Sequence, residues 1–407
     1  MTTENVSFAD PNVQKCPFAA YHSVRSEGPV YIDPNSGFYV VTDYALVRKV
    51  AADTATFSSL TGLLLYKDDN KETLDAIWRE KGVLPVPVLV ISDPPDHTFY
   101  RSLVDKAFTP LRVRQMEDYL ESIVEGMIDE IAGKGEAEFL GDFASQIPLR
   151  VIADQLGMPR DDLPLFKLWS DTVIAQGQHN NSVEEQVRIT HILCDLQQYT
   201  LKKAAEYRAK PQECMLSDMA NADVDGRKLN DQELTSVIFQ VLTAGYETTA
   251  AAMTAGILRI IRTPGLEDSL REDPERIPNF IEEVLRLDAP VQGLFRRATR
   301  DSDIGGFPVP AGATVQLMWG GANRDPGQFA DPDAFNPTRD NARRHVTFGF
   351  GPHICIGNQL ARGELRIAFT RLLQRLKSFR LVDEPDYIAH AFAYGVKALH
   401  IAFDRGE

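Results

Sequence analysis

Cysteine is scarce in the sequence, and its few residues are widely separated. The chain has 407 residues and four cysteines, Cys16, Cys194, Cys214 and Cys355, with no C-x-x-C pair or other clustered metal-ligand spacing. The cysteines therefore predict neither a disulfide framework nor a zinc site. A cysteine that binds a metal here would have to be its only cysteine ligand.

Long apolar runs and an excess of positive charge are also missing. The most apolar run, residues 83–91, is short and contains two prolines. The amino terminus lacks the basic and then apolar layout of a signal peptide. A formal net charge of −15 disfavours nonspecific binding to nucleic acid or to anionic lipid. We expect a cytoplasmic protein with no membrane anchor and no nucleic-acid partner.

The composition is that of a globular protein, with 43% hydrophobic and 25% charged residues. No repeat, low-complexity tract or linker divides the chain, so we expect a single domain, residues 1–407. Most segments carry apolar residues at three and four spacing, which predicts a mainly α fold with small β-sheets. Two β-hairpins are predicted, in residues 29–43 and in residues 305–319, the second with its turn at Pro310–Gly312. Residues 58–90 and 176–183 are predicted to be loops near an opening.

The longest predicted helix runs from Asp231 to Arg262. Asn230 is its predicted N-cap and Glu233 completes a capping box, while a Pro-Gly pair follows the last turn. The stretch "TAGYETTAAA" places Gly245 in the middle of this helix, at a cost of roughly 0.5 to 1 kcal/mol relative to alanine. A helix opened there beside an acid and a hydroxyl could relay protons. Close packing at the glycine is the alternative.

Two further spacings place functional groups on one helical face. Glu283 and Arg286 are three residues apart, which is the spacing of an ion pair. His97 and Arg101 are four apart and would suit a carboxylate or a phosphate, although a capping histidine and a surface arginine would explain them equally well.

Cys355 lies in "FGFGPHICIGNQLARGEL", between a glycine-rich loop and a predicted helix. The N–H groups at a helix start favour a thiolate, which could be a nucleophile, half of a disulfide or a metal ligand. A nucleophile would need a base, and His97 or His353 could serve. No nucleophile elbow, phosphate-binding loop or zinc-protease motif supports a hydrolase or a kinase.

Taken together, these features resemble the cytochrome P-450 family of heme-thiolate monooxygenases, from the first hairpin to the final strands. The family's pattern Phe-x-x-Gly-x-His/Arg-x-Cys-x-Gly is filled by Phe348, Gly351, His353, Cys355 and Gly357. The resemblance implies the cytochrome P-450 fold, with heme between a long distal helix and the cysteine loop with its proximal helix. It makes Cys355 the axial thiolate of the iron, and a thiolate pushes electron density that favours O–O cleavage.

The resemblance also assigns roles to other residues. Ala244, Gly245, Glu247 and Thr248 match the family's oxygen-activation pattern, in which Thr248 would steady dioxygen and a water while Glu247 links that water to solvent protons. Arg339 is implied as a third member of the Glu-x-x-Arg pair. The further residues implied to contact heme b (iron protoporphyrin IX) are His97, Arg101, Arg296, Phe348, Gly349, His353, Gly357 and Ala361.

The implied reaction inserts one atom of O2 into a hydrophobic small molecule of the terpenoid, steroid, aromatic or fatty-acyl class, by hydroxylation or epoxidation. The chain has no recognisable flavin, iron–sulfur or nicotinamide module after residue 376, so electrons would come from a separate ferredoxin and its reductase, and we expect a monomer. The basic residues considered for docking are Lys106, Arg112, Arg114, Arg343, Arg344, Arg362 and Arg366. A peroxide-driven peroxygenase and a heme-thiolate gas sensor or carrier are the alternatives.

Overall fold

The computed structural model of the protein describes residues 6–61, 70–176 and 181–406. The chain divides into two compact units: the first is Met1–Ser58, Pro110–Ile147 and Glu247–Glu407, and the second is Ser59–Thr109 and Pro148–Tyr246. Helices predominate and the sheets are small, which confirms the predicted fold class. Among the helices described, none is long and apolar enough to cross a membrane.

The helices follow one another along the chain with these bounds: α1 (Pro11–Lys15), α2 (Phe18–Glu27), α3 (Tyr44–Ala52), α4 (Lys71–Lys81), α5 (Asp96–Val104), α6 (Pro110–Gln115), α7 (Glu117–Ala132), α8 (Gln146–Gln155), α9 (Leu163–Gln176), α10 (Val183–Ala209), α11 (Met215–Asn221), α12 (Asp231–Arg262), α13 (Leu266–Glu272), α14 (Ile277–Leu287), α15 (Trp319–Ala322) and α16 (Asn358–Arg375). The strands are β1 (Tyr31–Ile32), β2 (Tyr39–Val41), β3 (Phe57–Ser58), β4 (Glu136–Glu138), β5 (Leu294–Ala298), β6 (Ser302–Ile304), β7 (Phe307–Val309), β8 (Thr314–Leu317), β9 (Leu376–Leu381) and β10 (His400–Arg405).

The main sheet belongs to the first unit and has the strand order β1-β2-β8-β5-β3. Strands β1 and β2 pair antiparallel, which confirms the first predicted hairpin. The second predicted hairpin is wrong, because β7 pairs with β6, while β8 pairs in parallel with β2 and antiparallel with β5. The turn that connects β6 to β7 is Gly305–Gly306. Both residues have positive φ, +63° and +87°, as a tight hairpin turn requires.

The core of the first unit lies between this sheet and α3. Val47 of α3 and Val315 and Leu317 of β8 are fully buried, together with Phe329 from the segment that follows α15. Apolar side chains of α3 recur at three and four spacing, so one face of the helix covers the sheet. This packing brings α3 against the segment that precedes α16.

The second unit contains a helix that the sequence analysis did not predict. Residues 58–90 were predicted to be a loop, but α4 occupies part of that range and buries Leu74 and Trp78. These two residues are four apart and face α10, where Leu193 and Cys194 are buried against Trp78. The charged residues at both ends of α4 hid this short apolar face. Residues 62–69 of the predicted loop, and residues 177–180 of the second one, lie outside the described part of the chain.

Helix α12 has the predicted bounds and the predicted capping box. The N–H of Glu233 donates to Asn230 Oδ1 at 2.9 Å, and the N–H of Asn230 donates to Glu233 Oε2 at 3.0 Å. The helix continues without a break to Arg262, so it is not opened at Gly245. A Cβ on Gly245 would lie 3.3 Å from Cδ1 of Ile152, which favours close packing as the reason for this glycine.

Candidate functional site

The segment around Cys355 folds back on itself before α16 begins. The N–H of Cys355 donates to the carbonyl oxygen of Phe348 at 2.8 Å, and the N–H of Gly349 donates to Val346 O at 2.8 Å. Gly349 has φ +73°, a conformation that favours glycine. These bonds close a tight loop, called the cysteine loop below (residues 346–357), with Cys355 near its end.

Gly351 is required where the cysteine loop approaches α3. It has φ +76°, and a Cβ there would lie 3.0 Å from both Ala51 O and Ala52 Cα. A side chain would therefore meet backbone that cannot move aside easily. The glycine anchors the loop on α3 at a distance that no other residue allows.

The start of α16 binds the carbonyl group of Cys355. The side-chain amide of Asn358 donates to the carbonyl oxygen of Cys355 at 2.6 Å, and the N–H of Ala361 donates to Gly357 O at 2.9 Å. The structure therefore brings six of the predicted site residues together in one short stretch. They are Phe348, Gly349, His353, Cys355, Gly357 and Ala361.

The remaining predicted site residues lie on other elements. Glu247 and Thr248, both partly buried in α12, and Arg296, buried to 2% exposure in β5, belong to the first unit. His97 and Arg101 of α5 belong to the second unit, as do Ala244 and Gly245 of α12. His97 is 4% exposed, and Arg101 pairs with Asp105 at 2.8 Å.

The predicted ion pair is confirmed and is deeply buried. Arg286 and Glu283 are both 0% exposed, and two guanidinium nitrogens of Arg286 donate to the two oxygens of Glu283 at 2.7 and 2.8 Å. Arg339 joins them through Nε, 3.1 Å from Glu283 Oε1. The remaining donors of the two arginines reach backbone carbonyls of the turn-rich segment after α15, at Asn323, Ala330, Asp331, Pro332 and Ala334.

A buried acid that the sequence analysis missed lies on α16. Glu364 is 2% exposed, and burial raises its pKa to about 8, although a hydrogen bond with Thr249 of α12 opposes that rise. Glu364 is therefore largely a neutral carboxylic acid at neutral pH. Its hydrogen-bond partner, Thr249, is the residue after Thr248 in α12. The signal for it was present, because Leu360, Glu364 and Ala368 are spaced by four on an otherwise apolar face.

The donor set around Cys355 fits heme. No group of three or more His, Cys, Asp or Glu side chains that could hold a metal ion occurs in residues 6–61, 70–176 or 181–406. All four cysteines fall in these ranges, and no disulfide joins any two of them. A metal at Cys355 would thus receive one sulfur from the chain and the rest of its ligands from elsewhere, as a porphyrin provides.

Comparison with known proteins agrees with this geometry. The Cytochrome P-450 family profile matches residues 164–389. The chain is 31% identical to "Steroid C26-monooxygenase" of Mycobacterium tuberculosis over 95% of this chain and 93% of that protein. It is 33% identical to "Polyketide biosynthesis cytochrome P-450 PksS" of Bacillus subtilis over 78% of each.

A solved structure of a cytochrome P-450 has the same fold as this chain. Cytochrome P-450 CYP109Q5 from Chondromyces apiculatus superposes with a TM-score of 0.86 at 29% identity, covering 99% of both chains. Sequence similarity and fold thus agree over almost the full length of the chain. The chain belongs to the cytochrome P-450 family of heme-thiolate monooxygenases.

Proposed function

We propose that the protein inserts one atom of O2 into a hydrophobic small molecule, with heme b held by the thiolate of Cys355. The observation that carries this proposal is the cysteine loop, because hydrogen bonds to Phe348 O and from Asn358 fix both peptide groups of Cys355. Heme with a thiolate ligand supplies the activation of dioxygen. We propose one heme domain, residues 1–407, that acts as a monomer in the cytoplasm.

The chain's own groups would bind the cofactor and move protons. Of the residues named for heme contact, His97, Arg101, Arg296 and His353 are the cationic or imidazole donors suited to carboxylates of the cofactor. Glu247 and Thr248 are proposed to deliver protons on the distal side, since an ionisable acid next to a hydroxyl can pass a proton from solvent through a held water. Glu247 is only partly buried.

A terpenoid, steroid, aromatic or fatty-acyl compound is the proposed substrate. Support comes from the relatives, one named for a steroid and one for polyketide biosynthesis. Titration with compounds of the four classes, read as the low-spin to high-spin Soret shift, identifies the class that binds.

A ferredoxin and its reductase are the proposed electron donors. An open cavity of about 420 Å³ in the first unit includes four of the arginines considered for docking, Arg114, Arg343, Arg362 and Arg366. Arg362 and Arg366 are paired with Glu282 and Glu117, so this surface is less basic than the sequence suggests. Arg343 lies 3.7 Å from Glu282 through Nε, but it is 73% exposed and is the best candidate for a contact with an acidic partner. The rate of reduction by a ferredoxin should fall in Arg343→Glu and with added salt.

The carbon monoxide complex tests the cofactor assignment. The reduced protein under CO should give the red-shifted Soret band that is diagnostic of a thiolate ligand, and Cys355→Ser should lose it. A Cys355→Ser protein that keeps the band would refute the assignment. Product formed per NADH with the redox partners then separates a monooxygenase from the alternatives. A peroxygenase would form product only with added peroxide, and a sensor would bind ligands without turnover.

A further inference from the structure

Three elements of the first unit meet at Glu282, the residue before the buried ion pair in α14. Its side chain is 7% exposed and accepts hydrogen bonds from Arg362 Nε at 2.6 Å and Nη2 at 3.0 Å. His345 Nε2 lies 2.9 Å from Glu282 Oε2. Burial alone would raise the pKa of Glu282, but the bonds from His345 and Arg362 outweigh it and lower the pKa to about 2. Glu282 is therefore a buried carboxylate that holds Arg362 and His345 in place, with Arg343 as a more distant partner at 3.7 Å.

The hydrogen bonds of His345 determine its tautomer. The N–H of Thr347 donates to His345 Nδ1 at 3.2 Å, so this nitrogen carries no proton. The proton is then on Nε2, which donates to Glu282. Burial lowers the pKa of His345, and the neutral ring is consistent with both bonds.

Phe348 of the cysteine loop lies between these two partners of Glu282. The guanidinium of Arg362 is 4.5 Å from the centre of the Phe348 ring, and the His345 ring is 5.8 Å away at an angle of 41°. A guanidinium over an aromatic face is attractive and also restricts the ring. The carbonyl of the same Phe348 accepts the N–H of Cys355. Arg362 thus restrains the acceptor of the Cys355 N–H.

Arg362 also restrains the other peptide group of Cys355. Its Nη1 donates to Asn358 Oδ1 at 3.0 Å, and the amide nitrogen of Asn358 donates to Cys355 O at 2.6 Å. The orientation of this amide is fixed by chemistry, because a guanidinium only donates and a carbonyl only accepts. One planar side chain therefore connects Glu282 to both sides of Cys355.

We propose that Arg362 is a positioning residue for the sulfur of Cys355, a role that rests on the proposed heme ligation by that residue. It acts through Phe348 on the Cys355 N–H and through Asn358 on the Cys355 carbonyl. Both links need the planar, forked shape of the guanidinium. Its Nε and Nη2 bind Glu282, so Nη1 is available to Asn358 and the flat face is available to the Phe348 ring. Lysine would retain the charge and lose this geometry.

The experiment compares four variants of the holoenzyme. Arg362→Lys and Arg362→Gln remove the fork with and without the charge, and Asn358→Ala removes one of its two routes to Cys355. Arg371→Gln is the matched control, because Arg371 lies on the same helix and pairs with Glu121 instead. Two quantities are measured: the rate at which the thiolate-type band of the reduced CO complex is lost on standing, and the midpoint potential of the heme iron.

The positioning role predicts that Arg362→Lys and Arg362→Gln both lose the band at least tenfold faster than the parent, with Asn358→Ala in between. The midpoint potential differs from that of the parent in all three, because the peptide groups on both sides of the sulfur are no longer held in place, whereas Arg371→Gln stays close to the parent. A parent-like Arg362→Lys would overturn the proposal and leave Arg362 as a charge only. Absence of the thiolate-type band in the parent protein would instead refute the binding of heme iron by Cys355.

Discussion

Glu364 should make the stability of the protein fall as pH rises, and replacing it with glutamine should remove that fall. The pKa of its carboxyl group is about 8 in the folded protein because of burial, against an ordinary value of 4.5. The folded state therefore binds a proton that the unfolded state releases. The stabilisation is complete below pH 4.5 and is lost as pH rises through 8.

The difference between these two pKa values corresponds to a free energy of about 5 kcal/mol, or about 1.4 kcal/mol for each pH unit between them. Urea unfolding followed by tryptophan fluorescence at pH 5, 6, 7 and 8 measures this slope. Glu364→Gln keeps the shape of the side chain and a hydrogen bond to Thr249, but it cannot ionise. The free energy of unfolding of the variant, relative to that of the parent, should therefore rise steadily with pH. The expected relative gain between pH 5 and pH 8 is about 4 kcal/mol.

Glu121→Gln is the matched control for this slope. Glu121 undergoes the same change of side chain, but it is 40% exposed at the edge of α7. A change of slope in Glu364→Gln that Glu121→Gln does not share is specific to the buried position. Parallel curves for Glu364→Gln and the parent would show that the buried carboxyl group is ionised in the folded protein, and would refute the reasoning.

Three further predictions follow from the first unit. Arg286→Ala strands the buried Glu283 at a cost of about 3 to 5 kcal/mol, so heme content and the unfolding midpoint should both fall; a normal value of either would show that the ion pair is superficial. Thr248→Ala should still consume NADH with its redox partners, while the yield of product falls and that of hydrogen peroxide rises. Glu247→Gln should instead slow oxygen consumption itself. An unchanged yield of product per NADH in both variants would exclude the relay. Arg371→Gln, which breaks contacts between α16 and α7, should cost about 0.5 to 1 kcal/mol at low salt and nothing measurable in 1 M salt; an equal cost in both would contradict a screened ion pair.

Features that depend on neighbouring residues were predictable from the sequence. The bounds of α12 follow from a cap, a capping box and a Pro-Gly pair within a few residues of each end, and the structure has the same bounds. The contact between Glu283 and Arg286 follows from helical spacing. The cysteine loop was found because its pattern occupies one continuous stretch of chain.

Features that depend on distant residues were not predictable in this way. Strand β8 joins β2, which is about 280 residues earlier in the chain, and no local pattern selects that partner over β7. Glu282, His345 and Arg362 lie on three separate elements, and each alone has the sequence context of an ordinary surface charge. The assignments of the heme-contacting residues and of the proton relay stay predictions.

The buried pair in α14 has a consequence for the order of folding. Arg286 supplies hydrogen bonds to the carbonyl groups of Asn323, Pro332 and Ala334 in the segment between α15 and the cysteine loop, which has little regular structure to satisfy them otherwise. Buried carbonyls without a donor are costly, so this segment cannot become compact until α14 is in place. We therefore expect protease-sensitive sites in residues 323–345 to be the last to become protected during refolding, which pulsed proteolysis would measure. Early protection there, ahead of α14, would contradict this order.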